Sequence, residues 1–496
     1  MKILSAEQIR RADQYTIKNE PVPSIELMER ASKAFVKLFQ SNFKNNDHVH
    51  IFCGIGNNGG DGLAVGRILR TNDYCVHIYV IGNPEKGSED FRTNLTRLGS
   101  DYTLIHTEAQ FPELDSNALI IDAIFGSGLT REVGGFHASL IHHLNAQKAS
   151  RISIDIPSGL FADQSSTGAI IRSTLTVSFQ LPKLAFMFPE NHPYVGDWKA
   201  VDIGLSTKFI EQESSAVYLT GKSEIRSQIQ PRTKFDHKGT FGKALIVAGS
   251  FGKMGAAMLA GNAALRSGLG LLTMHVPACG YEIIQISIPE AMATIDKNSK
   301  AISSLGQVDG YSAVGIGPGL GQDEATYQML AEFLERYDGP LVVDADALNI
   351  IAENRQLLQL LPKNTILTPH PAEFKRLAGE WSDDFDRLEK QKEFSASFNV
   401  IIVLKGAHSS ITDPGGRVFF NSTGNPGMGT AGSGDVLTGM ITALIAGSYT
   451  ALDAAVVATF MHGLSGDLAV ADIGTVSLMA SDIIEYLPRA YKKFYK

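Results

Sequence analysis

Residues 54–62 read GIGNNGGDG, and two later segments, LIIDAIFGSGLTRE and ISIDIPSGL, set Asp122 and Asp155 at the ends of apolar runs. Within the glycine loop, Asn57, Asn58 and Asp61 offer oxygens that suit a hard cation, and the backbone N–H groups suit an anion. The same residues also suit a tight turn capped by Asn and Asp. In a parallel sheet ligands collect at the carboxyl ends of the strands, so the three loops are expected to converge, which favours a site. Lys183, in SFQLPK, is either a second polar group there or an exposed structural lysine.

A second constellation lies in the C-terminal half. NPGMGTAGSGDVLTGM, residues 425–440, is a glycine loop running into an apolar-periodic helix, so Gly432, Ser433 and Gly434 present N–H groups beside Asp435. An anion hole next to a carboxylate suits phosphoryl transfer, with Asp435 taking the proton of an attacking hydroxyl. Asp435 is equally suited to capping the helix. Lys405, in VLKGAHSSI, either meets a phosphate or is solvated, and His370, between two prolines, is either a ligand contact or a rigid structural residue. The segments GIGPGLG at 315–321 and VDADALN at 343–349 face the same edge.

The elements that must position these groups alternate. Short β-branched runs ending in Gly, Pro or Asp, such as VHIFCG, VHIYVIG, ALIIDAIFG and LTVSFQLPK, are separated by helical spacing, as in DGLAVGRILRTN. This predicts a parallel α/β sheet. The pattern lapses in TKFIEQESSA and restarts with KALIVAGS, LLTMHVP, YSAVGIGPG, PLVVDADAL, TILTPHP and VIIVLKG. With 496 residues, two domains are expected, residues 1–213 and 214–496. A final pair of Gly/Ala-rich helices, GDVLTGMITALIAG and LDAAVVATFMHGLSGDLA, closes the second.

Composition bounds the class. The chain is 44% hydrophobic and 19% charged with a net charge of −8, which argues against a nucleic-acid partner. No run is read as approaching a membrane span, so the expected compartment is the cytoplasm. Cys53, Cys75 and Cys279 fit neither a disulfide framework nor metal-ligand spacing and are expected to be reduced and mostly buried.

GNNGGDG at 56–62, DAIFGSGL at 122–129 and DIPSGLFAD at 155–163 resemble the NAD(P)H-hydrate epimerases, departing at Ser127 and Phe161. The resemblance, from about residue 5 to 210, implies a Rossmann-like sandwich whose substrate site is lined by Asn57, Asn58, Gly59, Gly60 and Asp61. Gly126, Ser127, Gly128, Leu129, Thr130, Arg131 and Glu132 would line its other side. It further implies Asp155 at the reacting ring and K+ held by Asn58, Asp122 and Ser158.

HKGTFGKALIVAGS, GPGLG, DADALN, LTPHPAEF, KGAHS and NPGMGTAGSGDVLTG occur in order from 237 to 439. They resemble the ribokinase-like superfamily, and more closely its ADP-dependent NAD(P)H-hydrate dehydratases, with mild departures in HPAEF and GTAGSGD. The implied substrate contacts are Gly319, His370 and Asp435. ADP, with Mg2+, would be met by Lys405, Gly406, Ala407, His408 and Ser409. Further ADP contacts would come from Asn425, Pro426, Gly427, Met428 and Gly429, then Thr430, Ala431, Gly432, Ser433 and Gly434. Together the halves resemble a bifunctional nicotinamide-nucleotide repair enzyme using ADP in preference to ATP, with small-molecule substrates and further copies of the chain as partners, and no membrane. The rival expectation is a ribokinase-like small-molecule kinase fused to a non-catalytic scaffold.

Overall fold

The computed structural model describes residues 1–44 and 47–495. The chain divides into two compact units: Lys2–Ser215 with Asp383–Phe385, and Met1, Ala216–Ser382 and the chain from Asp386.

The first unit is built on seven strands, β1 (His48–Cys53), β2 (Cys75–Ile81), β3 (Thr103–Ile105), β4 (Leu119–Ala123), β5 (Ser150–Ile154), β6 (Leu175–Phe179) and β7 (Asp197–Val201). Their order is β3-β2-β1-β4-β5-β6-β7, with every pairing parallel. Ile51 and Cys53 of β1 belong to one buried cluster and Phe52 to another, so the sheet is buried on both faces, as parallel sheets are. The helix Ala6–Asn19 opens with a capping box: Ser5 Oγ accepts from Gln8 N, and Gln8 Oε1 accepts from Ser5 N.

The second unit holds ten strands: β8 (Val217–Thr220), β9 (Lys243–Val247), β10 (Leu271–Val276), β11 (Met292–Ile295), β12 (Ala313–Ile316), β13 (Leu341–Val343), β14 (Ile366–Leu367), β15 (Ile401–Leu404), β16 (Ser410–Thr412) and β17 (Val418–Asn421). The order is β11-β10-β9-β12-β13-β14-β15-β16-β17-β8. Pairing is parallel from β11 to β15 and antiparallel across β15-β16-β17. Both units are thus α/β, the first on an all-parallel sheet and the second on a mixed one.

Four expectations are corrected. The segment GIGNNGGDG is mostly helix: Gly56 is the N-cap and Asn57–Thr71 the helix. Its glycines serve contact more than conformational freedom. A Cβ at Gly59 would lie 1.7 Å from Gly54 O, and one at Gly62 would lie 2.6 Å from Ala123 Cβ and 2.8 Å from Cys53 Sγ. Second, the helix Ala451–Ile473, with a mean hydropathy of 1.4, is long and apolar enough to cross a membrane, though 78% of its apolar window is buried inside the protein. It packs with the helix Ser433–Ala446 in the second unit's core. Third, the helix Ala480–Lys492 follows that pair, which is therefore not the last. Fourth, only Cys53 of the three cysteines is buried; Cys75 is exposed and Cys279 intermediate.

Candidate functional sites

In the first unit β4 delivers Asp122 fully buried beside the turn that follows β5. Its carboxylate accepts from Ser158 N at 2.8 Å, Ser153 Oγ at 2.7 Å, Ile124 N at 3.3 Å and Ser158 Oγ. Ser158 Oγ in turn accepts from Phe125 N at 2.8 Å, and Asn58 Nδ2 donates to Phe125 O at 2.9 Å. Asn58, Asp122 and Ser158 are therefore brought together, through Phe125. Burial pushes the Asp122 carboxyl up, and the serine donors oppose that shift. No cationic side chain is paired with Asp122 among the described residues.

Asp155 directly follows β5 at φ 65°, in left-handed space that a non-glycine residue rarely occupies. Its Oδ1 accepts from Lys183 Nζ at 2.7 Å and Phe179 N at 3.1 Å. Lys183 is 1% exposed, so the expectation of an exposed structural lysine fails. Two more carboxyls sense Asp155. Burial, then Asp155, pushes Asp13 up to about 7 against the pull of Lys183. Burial, then Asp155 and Asp13, pushes Asp61 well above the usual range.

Asp13 escaped the sequence reading. A signal existed, because Asp13 sits four residues after Ile9 and beside Ala12, on the buried stripe of the helix Ala6–Asn19. Asn58, Gly59, Gly60 and Asp61 are buried and Asn57 is exposed. A Cβ at Gly126 would lie 3.2 Å from Asn58 Cβ, which puts that residue beside the site. Gly126, Ser127 and Leu129 are half-buried, whereas Gly128, Thr130, Arg131 and Glu132 are exposed; Glu132 accepts from Thr167 Oγ1 at 3.2 Å.

In the second unit Asp344 directly follows β13 and Lys405 follows β15, and the two meet with Nζ 3.0 Å from Oδ1. Asp344 Oδ2 accepts from Thr438 Oγ1 at 2.6 Å, on the helix Ser433–Ala446. Glu373 Oε2 stands 3.9 Å from the same ammonium. Burial lowers the Lys405 pKa, but Asp344 and Glu373 outweigh it and hold the ammonium above the ordinary lysine range. A Cβ at Gly434 would sit 3.2 Å from Lys405 Nζ. Asp435 lies in the first turn of that helix, whose N-cap is Gly432 at φ 89°. Burial, then Asp344, pushes Asp435 up to about 7, with Lys405 opposing.

Asp344, Glu373, Lys405, Gly434 and Asp435 thus form one cluster. Asp344 and Glu373 were not singled out individually, although both stand in segments the sequence marks. His370 caps the helix Pro371–Ala378: Nδ1 accepts from Ala372 N at 3.1 Å and Glu373 N at 3.3 Å, leaving Nε2 3.4 Å from Glu373 Oε1. Gly319 takes φ 61°, where a Cβ would lie 2.8 Å from Lys253 O.

The remaining glycine-loop residues have separate anchors. Asn425 Nδ2 donates to Asp467 Oδ1 at 2.9 Å, and Pro426, Gly427 and Met428 form a short 3-10 turn leading to Gly429, Thr430 and Ala431. Ser433 O faces His462 Nε2 at 3.0 Å. Burial lowers this histidine to about 4, so it is neutral. In the other loop, Ser409 Oγ accepts from Gly406 N at 3.2 Å, Ala407 is exposed, and His408 Nδ1 pairs with Asn421 O at 2.9 Å.

Residues 244–489 match the family described as NAD(P)H-hydrate dehydratase, and residues 24–185 match the YjeF-related protein N-terminus. The bifunctional NAD(P)H-hydrate repair enzyme Nnr of Moorella thermoacetica is 36% identical, covering 98% of this chain and 96% of its own length. The protein of that name from Escherichia coli K12 is 31% identical, covering 98% of this chain and 93% of its own length. A solved ribokinase-like superfamily protein from Enterococcus faecalis V583 is 25% identical, with a TM-score of 0.50 over 57% of this chain and 98% of that one. Similarity that runs through both sites and nearly the whole chain makes this protein a member of the bifunctional NAD(P)H-hydrate repair enzyme family.

Proposed function

We propose that the first unit epimerises the R and S forms of the NAD(P)H hydrates and that the second dehydrates the S form at the expense of ADP, giving NAD(P)H, AMP and phosphate. Nicotinamide nucleotide repair follows from family membership; the assignment of steps to residues is our reading. The alternative, a kinase fused to an inactive scaffold, has no relative among those described to support it.

In the first unit, epimerisation at the carbinol carbon needs one group to protonate the departing hydroxyl and another to take the proton when water returns to the opposite face. Asp13, poised near neutrality, suits the acid role, and Asp155, held by Lys183, suits the carboxylate role. A fully buried Asp122 without a cationic partner among the described residues, next to the oxygens of Asn58 and Ser158, fits a monovalent cation. Bound there, K+ supplies positive charge that holds the loops in place.

In the second unit, Asp435 takes the proton of the hydrate's hydroxyl as its oxygen attacks the β-phosphorus of ADP and AMP leaves. Phosphate is then expelled with loss of a proton from the neighbouring ring carbon. Lys405 and the N–H groups of Ser433 and Gly434 suit the charge that develops on phosphate. The surplus of carboxylates over Lys405 fits a divalent cation, and Mg2+ with ADP supplies neutralisation of the phosphates.

The observation that carries this reading is Asp435 in the first turn of a helix whose second residue, Gly434, lies against the Lys405 ammonium. Adding ADP to mixed hydrates and following NAD(P)H absorbance tests it. Turnover should require ADP and be slower with ATP; no NAD(P)H formation with either nucleotide sinks the proposal. We place the protein in the cytoplasm, where its nucleotide substrates are dissolved, and as a homo-oligomer. Exposed Ile286, Met292 and Ile295, at and beside edge strand β11, support self-association, which light scattering tests.

A further inference from the structure

At the amino ends of β1 and β2, away from the carboxyl edge that carries the site, the parallel register sets His48 opposite Cys75 and His50 opposite His77. Side chains two apart on a strand share a face, so one imidazole from β1 and a thiol and imidazole from β2 project together. The ligand atoms of His48, Cys75 and His77 all lie within 4.8 Å of one another, and Cys75 Sγ is 3.8 Å from His77 Nε2. Tetrahedral Zn2+ with ordinary Zn–S and Zn–N bonds holds its ligand atoms roughly 3.5 Å apart. The Cys75–His77 pair is nearly at that spacing, and all three side chains are exposed, which leaves their rotamers free to adjust around an ion. His50 stacks on His77 with ring centroids 4.9 Å apart, and its Nδ1 is 3.2 Å from Tyr79 OH, so the sheet face buttresses one ligand.

We propose that His48, Cys75 and His77 form a surface site for one borderline-soft divalent ion of the Zn2+ type, its fourth position taken by water. Thiolate and imidazole select such an ion over Mg2+ or K+, which prefer oxygen. On coordination the Cys75 thiol gives its proton to solvent as the metal–sulfur bond forms, so about one proton leaves per ion bound. The ion ties β1 to β2 across the sheet and touches none of the groups assigned to catalysis.

The test uses the full chain, stripped with a chelator and titrated with Zn2+ by calorimetry and with Co2+ by absorption. One equivalent should bind, and Co2+ should give a thiolate-to-metal charge-transfer band. Cys75→Ser should abolish the band, and Cys75→Ser and His77→Gln should each weaken Zn2+ binding at least about tenfold, since even outer-sphere partners are worth that much. Cys279→Ser should leave both readouts unchanged. Epimerisation by metal-free Cys75→Ser should equal that of the parent, which shows that the variant is folded. No cobalt band in the parent chain, or a band that survives Cys75→Ser, overturns the site.

Discussion

Lys183 Nζ donates to Asp155 Oδ1 across 2.7 Å, and the lysine is 1% exposed. The pair joins the end of β5 to the segment after β6, and Lys183 is also a positive neighbour of two more carboxyls, Asp13 and Asp163. Lys183→Met leaves the Asp155 carboxylate buried and unpaired, which costs about 3–5 kcal/mol. We expect the first unit to lose stability by that order and epimerisation to vanish, while dehydration of purified S hydrate persists. Denaturant unfolding with both assays checks this; a variant as stable as the parent removes the pair from the fold's energetics.

Asp435→Asn should lower ADP-dependent dehydration by roughly 10²–10⁴-fold, the usual worth of a positioned general base. Epimerisation should be unchanged, because the carboxylate is needed only where a hydroxyl attacks phosphorus. A variant within a few-fold of the parent takes Asp435 out of the mechanism.

With Asp435 raised from 3.8 to about 7, the base is mostly protonated under mildly acid conditions. The kcat/KM for dehydration should therefore fall about tenfold per pH unit below about 7. The same shift sets a stability slope. Folding raises this pKa, so the folded state binds the proton more tightly, and the contribution to stability present at low pH is lost as pH climbs from about 4 to about 7. Asp435→Asn should remove that loss, raising Tm relative to the parent at pH 8 and not at pH 4. Thermal unfolding of both proteins across pH decides the matter; parallel curves contradict the shift.

Asp122→Ala should lower epimerisation and flatten its dependence on K+, with sodium holding ionic strength constant. Dehydration should barely change, since the groups assigned to it belong to the other unit and share no hydrogen-bond partner with Asp122 among the described residues, and sites without shared partners behave independently. A parent rate that is flat in K+ reduces Asp122 and Ser158 to a structural turn.

The strand, glycine and helix grammar was legible because it is local: β1, β2, β4, β5 and β6, and β9, β10, β12, β13 and β15, fall on the runs read from sequence. The hairpin β16-β17 carried a readable signal in ITDPGGRVFF, and Asp435 stood where its loop placed it, one turn into a helix. β3 and β11 are sheet-edge strands whose residues are mostly exposed or half-buried, so no apolar run marks them.

What tertiary structure decided was which distant residues meet, and therefore what their chemistry becomes. Asn57–Asp61 could be helix or loop by local preference; it is helix because Gly59 and Gly62 let it press against Gly54, Ala123 and Cys53. Lys405 could be solvated, and His48, Cys75 and His77 could be unrelated, until strand pairing set them beside Asp344 and beside one another. Sequence determines residue types and short-range periods, whereas burial and charge at a point sum over every element that reaches it. That sum is why burial and neighbouring carboxylates push Asp13 and Asp435 up to about 7 while nothing in their flanking residues says so.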